Sequence, residues 1–186
     1  MVVLGDSLSA GYGLGAGEAF PARLEKALKA RGHAVKVANA GVSGDTSSGG
    51  LGRLAWSVPD GTEAVIVELG ANDALRGIDP DLTRKALDDI VRKLKARGIA
   101  VLLAGMRAPP NMGADYARAF DAIYPGLAST HGVVFYPFFL DGVTGDRALN
   151  QADGIHPTAA GIDAIVKAIL PKVEELIARV RAARGS

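Results

Sequence analysis

The chain contains no cysteine, which excludes disulfides, thiolate metal sites and a cysteine nucleophile together, and leaves no redox signature of a compartment. Long apolar runs are also missing. Ile99 to Met106 and Val133 to Leu140 are the longest, far short of the ~20 residues a bilayer-spanning helix requires, so no integral membrane segment is expected. Nor is there an excess of charge of either sign. Lys and Arg number 21 against 20 Asp and Glu, a net +1, which gives no reason to invoke nucleic acid, an anionic membrane or a polyanionic substrate. A small molecule is the expected partner, and nothing in the sequence bears on oligomeric state.

No repeat, linker or low-complexity stretch interrupts the 186 residues, so one domain spanning 1–186 is expected. Only Met1, Val2, Val3 and Leu4 precede the first turn, fewer than the ~5–6 residues of an ordinary buried strand. We therefore expect that an upstream segment was removed and Met1 added, and that Gly185-Ser186 is a vector remnant. A removed export signal would make the protein periplasmic or secreted; otherwise it would be cytoplasmic.

What the sequence does contain is alternation. Val2 to Leu4, Ala34 to Ala38, Ala64 to Leu69, Ala100 to Gly105 and Val133 to Tyr136 read as buried strands. Between them, Pro21 to Arg31, Pro80 to Arg97, Ala114 to Thr130 and Pro157 to Arg184 have helical period, with a shorter helix around Thr46 to Ser57. Proline near the start and glycine past the end, as at Pro21/Gly32 and Pro80/Gly98, match the usual start and stop asymmetry. Strands separated by helices imply right-handed crossovers, hence an α/β fold with a mostly parallel sheet between two helical layers.

Ligands of such sheets bind beyond the carboxyl ends of the strands, and the residues there are polar and specific: Gly5-Asp6-Ser7, Asn39 to Asp45, Gly70-Ala71-Asn72-Asp73 and, further on, Asp153-Gly154-Ile155-His156. Acyl transfer needs a nucleophile, a base, a group that orients the base and donors for an oxyanion. Ser7 can project from its turn as the nucleophile, although on the triplet alone an ordinary turn or N-cap serine is the preferred reading. Asp153 and His156, three residues apart, can face the same way, and Pro157 keeps His156 out of the following helix. His33 and His131 sit beside glycines at helix ends, where solvated capping roles are expected. Asn72 supplies a neutral amide and Gly44 an unobstructed N–H; with the Ser7 N–H they can form an oxyanion hole, though singly either can be a simple turn residue.

The stretches VVLGDSLSAGYG, NAGVSGDTSSGGLGRL, VIVELGANDALRG and DGIHP, in this order, resemble the four blocks of the SGNH, or GDSL, hydrolases. AFPARL and AIYPGLA between them point to the bacterial thioesterase I, lysophospholipase and arylesterase branch. The resemblance covers nearly the whole chain. It implies Ser7 as nucleophile, Asp153 and His156 completing a triad, and Ser7, Gly44 and Asn72 as oxyanion donors. It also implies a flavodoxin-like five-stranded sheet of order 2-1-3-4-5 and no metal or organic cofactor.

The expected activity is hydrolysis of aryl or short-to-medium acyl esters, with thioesters or lysophospholipids as the alternative within the same triad. The proline-stiffened loop Met106 to Gly113 is expected to wall an acyl pocket through Met106, Pro109 and Met112, with Leu8, Leu75 and Ile155 adding apolar surface. A non-catalytic ligand- or nucleotide-binding module is the reading of another class. Gly11 to Ala16 formally matches a dinucleotide fingerprint, but six residues separate it from Leu4, and the second strand ends in Ala38-Asn39, where an acidic residue would be wanted for the ribose. No G-x-S-x-G elbow is present, and a metal hydrolase would need more convergent ligands than His156 alone.

Overall fold

A computed structural model describes residues 1–185; Ser186, read above as part of a vector remnant, lies outside the described residues. Five parallel strands, β1 (Val2–Gly5), β2 (Ala38–Gly41), β3 (Ala64–Glu68), β4 (Ala100–Ala104) and β5 (Val134–Tyr136), form one sheet in the order β2-β1-β3-β4-β5. All residues of β1 and β3 are buried, because helices cover both faces. Helix α2 (Phe20–Ala30) and the long C-terminal helix α9 (Ala159–Arg184) pack together on one face. On the other lie α3 (Ser47–Gly52), α6 (Pro80–Ala96) and α8 (Ile123–His131). Short helices α1 (Ser7–Ala10), α4 (Leu54–Ser57), α5 (Ala71–Leu75) and α7 (Ala114–Asp121) complete the fold.

Each long helix is seated by a stripe of mostly apolar residues. In α6, Thr83, Leu87, Ile90, Val91 and Leu94 recur at helical spacing and are buried, while Asp79 caps the start by accepting the Asp81 N–H at 2.9 Å. In α9, Ile162, Ile165, Val166, Ile169, Val173, Leu176 and Ile177 do the same, and Thr158 caps the start.

Three elements differ from the sequence expectation. The second strand runs over 38–41 rather than 34–38, because its partner β1 begins only at Val2, which pairs with Ala38; residues 34–37 have no strand beside them. The helix expected over 114–130 breaks at Ala122 into α7 and α8. Pro125 explains the break: it has no N–H to donate to the carbonyl of Asp121, and its ring crowds that carbonyl. The helix expected around 46–57 is likewise two short pieces, α3 and α4.

The register decides where the chemistry collects. Gly5 lies level with Gly41 on one side and Glu68 on the other, so the chain leaves β1, β2 and β3 at one height and the three following loops face each other. The segment between β5 and α9 returns to this edge, pinned by an antiparallel bridge between Asn150 and Pro157.

Candidate active site

Ser7 is the first residue of α1, and Asp6 is its N-cap, accepting the Leu8 N–H at 2.9 Å. The Ser7 hydroxyl reaches His156 Nε2 at 2.9 Å, and His156 Nδ1 meets Asp153 Oδ2 at 2.6 Å. The imidazole and its carboxylate partner thus approach Ser7 from a loop 149 residues away. The second oxygen of Asp153 accepts the backbone N–H groups of Ile155 at 2.9 Å and His156 at 3.0 Å. These bonds hold the carboxyl down at about 2: the His156 N–H contributes most, then the imidazole, then the Ile155 N–H. Asp153 is therefore ionised at neutral pH and fixes the imidazole with its proton on Nδ1, leaving Nε2 to accept from Ser7.

Candidate donors border the same cleft. Gly44 adopts φ of +81°, a left-handed conformation that a side chain would strain, and it lines the same cleft as Ser7 and Asn72. Among the described residues, neither the Ser7 N–H nor the Gly44 N–H has a hydrogen-bond acceptor. Asn72 is the second residue of α5, where its Nδ2 donates to Asp6 Oδ2 at 3.1 Å and to the Asp45 carbonyl at 3.0 Å.

A buried polar layer lies beneath. Arg53, 7% exposed, ties Asp45 Oδ2 (2.6 Å) to the carbonyls of Ala40 (2.7 Å) and Gly5 (2.8 Å), locking the loop after β2 to the end of β1. Asp73 accepts from the Ser47 N–H (2.8 Å) and hydroxyl (2.5 Å) and from Thr83 (3.0 Å). Asp45 and Asp73 thus fix the loops on which they sit. Asp6 and Glu68 are both fully buried and adjacent, Glu68 Oε2 accepting the Asp6 N–H at 3.4 Å. Burial pushes the Asp6 carboxyl up to about 6 against the opposing hydrogen bonds from Leu8 and Asn72. Burial, and then the charge of Asp6, hold Glu68 well above the usual carboxylate range.

The cleft measures about 820 Å³ and receives Leu8, Leu75, Met106, Pro109 and Ile155, the expected pocket residues. Met112 is the exception. It ends the 3-10 turn Pro110–Met112 and its Cε sits beside Gly77, off the cleft wall. Phe138, Leu140 and Tyr12 line the cleft without having been singled out by sequence. Tyr12 lies within a turn, where no periodic pattern marks a residue's facing. His33 and His131 are not solvated caps: their side chains are 17% and 11% exposed, paired with Glu174 at 3.2 Å and Asp88 at 2.7 Å. Among the described residues no group of three or more His, Asp or Glu side chains is disposed to hold a metal ion, and no helix is long and apolar enough to cross a membrane.

Residues 3–164 match the model of the GDSL-like Lipase/Acylhydrolase family. The chain is 40% identical over 178 residues to Esterase TesA of Pseudomonas aeruginosa, covering 95% of this chain and 89% of that protein. It is 44% identical over 158 residues to thioesterase 1/protease 1/lysophospholipase L1 of Escherichia coli K12, covering 84% and 74%. The crystal structure of AlinE4, an SGNH-hydrolase family esterase, superposes with a TM-score of 0.80 at 48% identity over 94% of each chain. With a match across most of its length, relatives of this identity and a solved esterase structure that superposes over nearly the whole chain, the chain belongs to the GDSL-like lipase/acylhydrolase family and is a serine hydrolase of ester bonds.

Proposed function

We propose that the protein is a serine esterase acting on aryl or short-to-medium acyl carboxylic esters through an acyl-enzyme, with Ser7 as nucleophile, His156 as base and Asp153 orienting the base. The observation that supports this most is the continuous chain Ser7 Oγ to His156 Nε2 (2.9 Å) and His156 Nδ1 to Asp153 Oδ2 (2.6 Å), which is the hydrogen-bond order a nucleophile, base and orienter require.

Ser7 Oγ attacks the ester carbonyl while His156 Nε2 takes its proton. The carbonyl oxygen becomes an oxyanion that receives hydrogen bonds from the Ser7 and Gly44 N–H groups and from Asn72, whose amide turns one hydrogen from its resting acceptor toward the new charge. His156 then gives the proton to the leaving alkoxide as the C–O bond breaks. A water molecule, deprotonated by the same imidazole, attacks the acyl-serine; the proton returns to Ser7 Oγ and the carboxylic acid departs. Asp153 stays ionised throughout and stabilises the imidazolium.

The apolar side chains Leu8, Leu75, Met106, Pro109 and Ile155 around a cleft of about 820 Å³ support an acyl-binding role. The relative named thioesterase 1 and lysophospholipase L1 makes acyl thioesters and lysophospholipids the second substrate class to test. The decisive measurement is turnover of p-nitrophenyl acetate, butyrate and octanoate, and of acyl-CoA thioesters, by the wild type beside Ser7→Ala and His156→Ala. Both variants are expected to lose about 10⁴- to 10⁶-fold in kcat. Turnover surviving Ser7→Ala would overturn the mechanism, and the chain-length profile would rank the substrates.

A further inference from the structure

The loop that carries His156 has little apolar anchorage. Ala152, Asp153, Gly154 and Ile155 are exposed, so the position of the imidazole depends on hydrogen bonds at the ends of the loop. Gln151 makes three of them. Its backbone N–H donates to the His156 carbonyl at 2.7 Å, and its side-chain Nε2 donates to the Pro157 carbonyl at 3.0 Å and to the Tyr12 carbonyl at 2.7 Å. The last bond joins segments 139 residues apart. It ties the turn that follows the nucleophile helix α1 to the loop that carries the base.

The turn is shaped to receive it. Gly13 has φ of +73°, and a Cβ there would collide with Gln151 Oε1, so the clamp and the turn fit only without a side chain at 13. The product of the clamp is visible at Tyr12, whose ring lies 4.4 Å from that of His156 at an interplanar angle of 34°. Asp153 and Ser7 hold the two nitrogen edges of the imidazole; the Tyr12 ring covers a face. An aromatic face there excludes water and attracts the positive charge that the imidazole acquires as it takes the serine proton.

We infer that Gln151 is a positioning residue for the base: it clamps the Tyr12 turn to the His156 loop and so holds the Tyr12 ring against the imidazole. The inference rests on His156 being the base. Because the imidazolium exists only once proton transfer has begun, the benefit falls on the transition state, hence on kcat more than on KM.

The test uses Gln151→Met, which keeps length and removes both amide donors, and Gln151→Glu, which sets acceptors against the two carbonyls. Tyr12→Leu, Tyr12→Phe and His156→Ala run alongside with p-nitrophenyl butyrate. Displacing a catalytic group by a fraction of an ångström to 1 Å costs up to about 10²-fold. We expect kcat to fall about 10-fold in Gln151→Met, further in Gln151→Glu and about 3- to 10-fold in Tyr12→Leu, with KM within about 2-fold. Tyr12→Phe should lose less than Tyr12→Leu. The Gln151→Met/Tyr12→Leu double variant should be no slower than about the slower single, since both remove one arrangement. In NMR spectra, the His156 Hε1 resonance should lose its ring-current shift in Tyr12→Leu and in Gln151→Met alike. An inert His156→Ala beside a Gln151→Met of unchanged kcat, or an Hε1 resonance that moves in Tyr12→Leu but not in Gln151→Met, overturns the clamp alone. A fully active His156→Ala overturns the base assignment and the clamp with it.

Discussion

Around Ser7 the neighbours Gly5, Asp6, Leu8 and Ser9 are all buried, whereas around His156 four consecutive residues, 152–155, are exposed. The proposed nucleophile and Asn72 sit at the end of the sheet, on a polar layer of Asp6, Glu68, Asp73, Ser47 and Arg53 that is itself inside the protein, while Gly44 alone of the proposed oxyanion donors lies on an exposed stretch of loop. The proposed base hangs from a surface loop held by hydrogen bonds at its ends. The two halves therefore differ in what a substitution costs. On the base side a change should cost activity with little stability; on the nucleophile side both should suffer, because the same atoms position the serine and fill the core.

The sharpest test of that contrast lies on the base side. Asp153→Asn is expected to lower kcat about 10³- to 10⁴-fold, since an amide in place of the ionised carboxyl no longer holds the Nδ1 proton. The melting temperature should scarcely move, because the Asp153 side chain is 38% exposed. A large fall in melting temperature would erase the difference between the halves.

Asn72→Ala, on the nucleophile side, is expected to cost about 10²- to 10³-fold in kcat if its amide meets the oxyanion. It should also destabilise, because the Asp6 and Asp45 acceptors lose their donor. Unchanged stability beside reduced kcat would show the nucleophile half to be more tolerant than its burial suggests.

Gly5→Ala probes packing alone. A Cβ at this position would meet Ser9 Oγ, Glu68 Oε2 at 2.6 Å and the Glu68 carbonyl at 2.8 Å, and backbone at that distance cannot turn aside as a side chain can. Overpacking of this kind costs about 1–3 kcal/mol, to be read from denaturant unfolding.

The smallest effect concerns pH. Folding raises the Asp6 carboxyl from an ordinary 3.8 to about 6, so between those values the folded protein binds the proton that the unfolded chain has released. Stability from this group is greatest below about 4 and declines as pH rises through 6. The depressed Asp153 works in the opposite sense, its contribution being lost only as pH falls from about 4 toward 2. Unfolding free energy measured from pH 4 to 7 should thus have a smaller downward slope in Asp6→Asn, which can still cap Leu8. An identical slope in the variant would place the titration elsewhere, with the neighbouring Glu68 the first group to examine.

Much of this was legible beforehand. Fold class and most strand positions follow from runs such as Val65-Ile66-Val67, which have no other use for consecutive β-branched residues than burial on both faces. The approach of Asp153 to His156 follows from short-range spacing and from Pro157. The position of β2 was not legible, since Ala34 to Val37 are as strand-like as Ala38 to Gly41, and only the starting point of β1 chooses between them. Met112 and the two paired histidines, His33 and His131, were also misread. Each has its environment set by a residue distant in sequence: Gly77, Glu174 and Asp88.

By itself, then, the sequence determined most of the elements, the sheet edge at which polar loops gather and the residue types available there, because these depend on periodicity and on turn chemistry within a few residues. Tertiary structure decided the contact that joins Ser7 to His156 across 149 residues, which the sequence offered only through family resemblance, the seat of Tyr12 on the imidazole and the burial that pushes Asp6 up. All three depend on which distant segments share a volume, and local spacing holds no information about that until β1 has taken its place between β2 and β3.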